Sequence, residues 1–254
     1  MSGHGVDIEL VPIGLEIPDK GPGEDQAELR TFLGKRNVVR LGAPRWADYL
    51  TELRAQRVTP PREVAQRVVE GYGFQRVRPT ITLLPDRDCA FVAAELSVEL
   101  YATTSSGEDA GRPIAYDVQP VEVVEELPYH AKSGTNVEVS GEAGAAFGKL
   151  LAKLTAENST ERNGVRVIQR LYGYGINFSE VGWRMQATAD HQLAGDIRDL
   201  EFVAQVPRGG ALTGRFFIAA DIAVRTSADR WLTASFSPRQ RGAVLESTYP
   251  LSAP

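Results

Sequence analysis

Residues 90–102 read AFVAAELSVELYA. Val92, Ala94, Leu96, Val98 and Leu100 fall on one side of an extended chain, and Glu95, Ser97 and Glu99 on the other. A period of two is the mark of a half-buried strand, because successive side chains of a strand point to opposite faces. The same texture continues beyond it. IAYDVQPVEVVEEL (114–127), VRVIQRLYGYG (165–175), EVGWRMQATA (180–189) and DLEFVAQV (199–206) repeat the pattern, as do GRFFIAADIAVRT (214–226) and RWLTASFS (230–237). In the stretch from 216, Phe216, Ile218, Ala220, Ile222 and Val224 share a face. Pro120 interrupts one run and makes it an edge, a bulge or two short strands.

Turn-rich segments separate these runs, with no helical crossovers between them. That favours antiparallel pairing over a parallel α/β topology, which needs a crossover element between successive strands. The fold expected is mainly β, an antiparallel β-sandwich or barrel-like core over about residues 79–254.

Upstream the texture is mixed. VDIEL (6–10) alternates, 21–25 is a glycine- and charge-rich loop, AELRTFL (27–33) has helical spacing, and RNVVRL (36–41) suits a strand. A helix is expected to open at Pro44, with Trp46, Tyr49, Leu50 and Leu53 on one face. A second should follow a Thr59 cap and bury Val64, Val68 and Tyr72. Residues 1–78 thus form a smaller mixed α/β portion with two or three short helices, packed on the sheet.

Composition narrows the functional classes. The chain has 254 residues, 43% hydrophobic and 24% charged, which suits one large or two small domains with a core that needs no staples. One cysteine, Cys89, cannot make an internal disulfide, and its apolar setting reads as a small buried hydrophobe. With three histidines and no CxxC, no Cys/His zinc spacing exists, and no cofactor or metal is expected. A net charge of -5 argues against general nucleic-acid binding. The arginines near 208 and 239–241 read as solvated loop charge. The start, MSGHGVDIELVPIG, has neither a basic leader nor a long apolar core, so a soluble cytoplasmic protein is the expectation.

GEAGAAFGKLLAKLT (141–155) carries two competing patterns. As a phosphate loop it fails, since Ala143 stands where the first glycine is needed and Leu150 where the hydroxyl is needed. As an amphipathic segment it succeeds. Phe147, Leu150, Leu151 and Leu154 lie near one face of a helix, with Lys149 and Lys153 elsewhere. Strand alternation fits its second half equally well, ENSTERNG then serving as the turn and VRVIQRLYGYG as the return strand. Periodicity cannot choose between the two in so short a run. The structural reading is a core-facing helix or hairpin. The functional one is a membrane-active segment, within 137–175, that inserts after activation.

Catalytic templates fail. ADHQLAGDIRD (189–199) gathers Asp190, His191, Asp196 and Asp199, a set able to bind a metal or to move protons, yet Asp and Gly are also what turns require. Asp86 and Asp88 read as turn residues, and His4 and His130 as lone loop histidines. GxSxG and HExxH are absent. GYGINFSEVGW (173–183) is the most distinctive aromatic stretch: Tyr174 and Phe178 are candidates for ligand or partner contact, and Trp183 for the core. The leading expectation is a non-catalytic binding or assembly protein acting through protein–protein contacts or self-association. A membrane-inserting effector is the second, and a hydrolase or metal enzyme with a site near 190–199 is the third.

Overall fold

The structure is a computed structural model, and it describes residues 6–13, 35–104, 106–132, 136–138, 164–188, 191–197, 199–225, 231–238 and 245–249. Among these the chain is mainly strand, and every ladder is antiparallel. The first strands are β1 (Val6–Ile13), β2 (Asn37–Asp48), β3 (Tyr72–Leu84), β4 (Cys89–Thr103), β5 (Ile114–Gln119), β6 (Glu122–Lys132) and β7 (Asn136–Glu138). They are followed by β8 (Gly164–Tyr174), β9 (Glu180–Gln186), β10 (Gly195–Ile197), β11 (Glu201–Pro207), β12 (Ala211–Arg225), β13 (Trp231–Pro238) and β14 (Leu245–Tyr249). Two helices are described, α1 (Tyr49–Ala55) and α2 (Arg62–Val69).

Hydrogen-bonded neighbours run β5-β11-β3-β2-β1-β13-β12-β4-β9-β8-β6-β7, with β10 on β3 and β14 on β12. The alternating stretch that opened the sequence is β4. It pairs along nearly its whole length with β12, from Ala211↔Thr103 to Val224↔Cys89. From Ala94 onward the faces divide as the alternation requires, but Val92 leaves the set: the register shift between Asp221 and Ile222 puts Phe91 in the main core and Val92 in a separate cluster with Ala187 and Ala223. Ala94, Leu96, Val98, Leu100, Phe216, Ile218 and Ile222 are buried, whereas Glu95, Ser97 and Glu99 are partly solvated. The core extends to Trp183, Phe202 and Phe91.

Strands far apart on this path approach each other, β9 and β8 meeting β11 and β5. Trp183 on β9 packs on Phe202 of β11, ring centroids 6.3 Å apart, and its indole N–H donates to the Gln119 carbonyl at 3.2 Å. A Cβ at Gly173 would lie 2.6 Å from the Pro120 carbonyl oxygen and 2.9 Å from Val118, so only glycine lets β8 pass this close. Pro120 divides the run as its position requires, with β5 ending at Gln119 and β6 starting at Glu122.

The expected helix at Pro44 begins later. β2 continues through Asp48, because Trp46 and Asp48 take ladder positions opposite Val77 and Gln75 of β3. A register shift between Gly42 and Arg45 absorbs Pro44 and its missing N–H. Asp48 then caps α1, accepting from the Thr51 N–H at 2.6 Å. α2 starts after Pro61 rather than at a Thr59 cap. Tyr49, Leu53 and Val64 bury a second, smaller cluster with Phe74 and Val203 on the outer side of β3 and β11. AELRTFL lies outside the described residues.

Candidate functional site

β6 and β8 form a two-stranded ribbon. They pair from Glu122↔Tyr172 to Tyr129↔Gly164, with a register shift between Val123 and Val124. Only the first part of this ribbon is joined to the sheet. β8 pairs with β9 over Leu171–Tyr174, opposite Met185–Gly182, and among the described residues 164–170 have no ladder partner but β6. Among the described residues the outer edge of β6 has β7 alone, at residues 130–132. The shift at the bulge leaves both Val123 and Val124 exposed. The far end of the ribbon leads into residues 139–163. The membrane-active candidates Phe147, Leu150, Leu151 and Leu154 belong to that stretch and lie outside the described residues.

Tyr174 sits where β8 joins the sheet. Its hydroxyl donates to Glu95 Oε1 at 2.7 Å, Arg184 lies over its ring at 5.8 Å, and Arg184 Nε is 3.2 Å from Glu95 Oε2. Tyr172 stacks beside it with centroids 6.5 Å apart. Burial, and after it the bond to Glu95, pushes the Tyr174 phenol well above its ordinary value. Tyr174 is therefore half-buried and already partnered within the fold.

Phe178 is different, because it is 69% exposed at the tip of the β8–β9 turn. The backbone beneath it is held. Ala115 N–H donates to the Phe178 carbonyl at 2.8 Å, Asn177 N–H to the Ala115 carbonyl at 2.7 Å, and Phe178 N–H to the Gly175 carbonyl at 2.9 Å. Ser179 links the turn to Arg112 and to the Pro113 carbonyl, both at 2.7 Å. A large aromatic ring is thus presented to solvent on a fixed backbone. Ile176 and Val121, also exposed, lie on the same turn and at the root of β6.

The acidic and histidine candidates are dispersed. Asp196 accepts from the Thr82 hydroxyl at 2.8 Å across the β10–β3 pair. Asp199 takes a positive φ of 67°, a turn conformation that Asp tolerates. Asp190 lies outside the described residues. Asp86 accepts from the backbone N–H groups of Arg36 and Arg87, each at 2.6 Å, and the Arg36 bond chiefly holds its carboxyl below the usual range. Among the described residues no three His, Cys, Asp or Glu side chains gather as a metal site would require. Cys89 is half-buried, and burial raises its thiol pKa, which does not suit a nucleophile.

His191 turns instead toward Glu125, with Nδ1 3.2 Å from Oε1. Glu125 was not singled out from the sequence. It is one acidic residue among several in VEVVEEL, and its partners lie 63 and 66 residues away in the chain.

No protein-family model matches the chain, and no curated protein matches it. Among solved structures, the chain is similar to the Clostridium perfringens NetB toxin in its membrane-inserted form. The identity is 6%, 96% of this chain and 94% of that one are covered, and the TM-score is 0.24. A structure described as a pore-forming protein matches at 6% identity, with 85% and 91% covered and a TM-score of 0.23. Likeness at this level carries no function to the chain.

Proposed function

We propose that this is a non-catalytic, β-rich protein whose copies associate and insert the amphipathic 137–175 segment into a lipid bilayer. One observation carries the reading: the β6–β8 ribbon runs past the sheet, its outer edges have few ladder partners among the described residues, and β8 is itself the last part of that segment. Two strands alone are marginal in water, so such a ribbon calls for something further to pair with or lie against. The alternation of Leu150, Ala152, Leu154 and Ala156 with Lys149, Leu151, Lys153 and Thr155 suits strands with one lipid-facing side and one mostly polar side, Leu151 being the apolar exception on the second.

In a bilayer every backbone N–H and C=O must be satisfied by protein, and strands achieve this only by closing a barrel. One hairpin cannot close, which makes self-association part of the same proposal. We read the two stretches of the strand path that meet at Trp183 of β9 and Phe202 of β11 as the layers of a sandwich that carries the hairpin. Among the described residues no helix is long and apolar enough to cross a membrane, and that leaves strands untouched.

The test is co-sedimentation with dye-loaded anionic and neutral vesicles, on intact and protease-nicked protein. Binding with dye release, from a species larger than one chain, is the expected result. No binding in either state overturns the reading.

A further inference from the structure

Glu125 ties the β6–β8 ribbon to the connection after β9, to which no ladder among the described residues joins it. It stands on β6, four positions into the ribbon, yet its side chain is only 13% exposed. Its Oε2 accepts from the Thr188 hydroxyl at 2.7 Å and lies 3.5 Å from Arg170 Nε on β8. Its Oε1 faces His191 Nδ1 at 3.2 Å.

Thr188 and His191 belong to the connection after β9, and that connection is part of the sheet body. Thr188 N–H donates to the His191 carbonyl at 2.9 Å, and His191 N–H to Thr188 Oγ1 at 3.2 Å, so these two residues hold each other. Their neighbours are pinned to β4, by Ala187 N–H to the Val92 carbonyl at 2.8 Å and by the bridge of Leu193 to Phe91. Both side chains converge on one carboxylate of the ribbon.

We propose that Glu125, with Thr188 and His191, is a clasp that holds the β6–β8 ribbon against the body, and that its opening is the step that frees the ribbon. The inference rests on the ribbon being the moving element of the proposed function. A polar clasp fits this role better than an apolar one. An apolar contact that opens leaves greasy surface in water on both sides. A carboxylate that leaves with the ribbon is rehydrated at once, so the opening strands no buried charge. Closed, the same carboxylate takes the Thr188 donor and faces Arg170 and His191, a geometry that fixes one placement of the ribbon.

The experiment is amide hydrogen exchange on the full chain in solution, without lipid, comparing the wild type with Glu125→Gln and Thr188→Val. A ribbon released from the body frays, because two strands alone are marginal. Ribbon amides in 123–126 and 167–170 should then exchange about tenfold faster in both variants, the scale of one hydrogen bond to a charged group. Amides of the β4–β12 ladder should keep the wild-type rate. Unchanged ribbon exchange in Thr188→Val overturns the clasp. So does a speed-up spread equally over β4 and β12, since Thr188 would then merely support the body. Vesicle dye release by the same variants separates the two ideas: a loosened ribbon without release keeps the clasp and removes the membrane reading.

Discussion

The ring of Tyr174 occupies the space that a side chain at position 182 would need. The two residues face each other across the β8–β9 ladder, and a Cβ on Gly182 would stand 2.6 Å from the Tyr174 hydroxyl oxygen. It would also lie 2.5 Å from the Leu96 carbonyl oxygen on the next strand. The ring can swing away, but the Leu96 backbone cannot without breaking ladder. Gly182→Ala should therefore destabilise by about 1–3 kcal/mol, as overpacking does. The midpoint of urea unfolding measures this, and an unchanged midpoint would mean the two strands sit further apart.

Tyr174→Phe removes the hydroxyl that donates to Glu95 and leaves the ring in place. The bond is half-buried, so about 1 kcal/mol should go. Its pH dependence has a definite sign. The native phenol titrates above the unfolded value of about 10, so its contribution is full below that value and fades as pH rises through the native one. From neutral pH upward, the stability gap between wild type and Tyr174→Phe should stay flat and then shrink in strong alkali. A gap that already shrinks between neutrality and about pH 9 contradicts the assignment.

Phe202→Ala removes the ring against which Trp183 packs. Both side chains are fully buried, and the cost should fall at about 3–5 kcal/mol. Denaturation followed by the tryptophan signal reports it directly. A loss under about 1 kcal/mol would show that β9 and β11 do not share a core.

Phe178→Ser changes a ring whose side chain touches mainly solvent, so folding stability should move by less than about 0.5 kcal/mol. A fixed, exposed aromatic is what a contact between copies uses, and the variant should show weaker self-association by analytical ultracentrifugation with vesicles present. Equal association by both proteins takes Phe178 out of the contact.

Much of the sheet was legible because its pattern is local. The alternation at 90–102 and 216–224 needs only neighbouring residues to be read, and both stretches became paired central strands. Residues 44–48 misled for the same reason. Trp46, Tyr49, Leu50 and Leu53 recur at helical spacing, but the competing demand came from β3, where Val77 and Gln75 required partners. The clasp was invisible because its partners are distant. Nothing near Glu125 in sequence marks it, and Thr188 and His191 reach it only after three further strands, β7, β8 and β9, have been laid down. Tyr174 was visible as an oddity between glycines, whereas its partner Glu95 read as one more outward charge of β4.

In the ladder between β1 and β13, Leu10 stands opposite Pro238. A strand from the amino-terminal part of the chain is thus completed by one from the carboxy-terminal part. At about 5–20 residues per second on the ribosome, that gap amounts to on the order of ten seconds or more. Through that interval β1 covers one edge of β2, while the other edge of β1 itself waits for β13. The newborn chain is therefore exposed to misassembly until β13 has emerged, and its yield in a cell should follow the supply of chaperones that hold such edges apart.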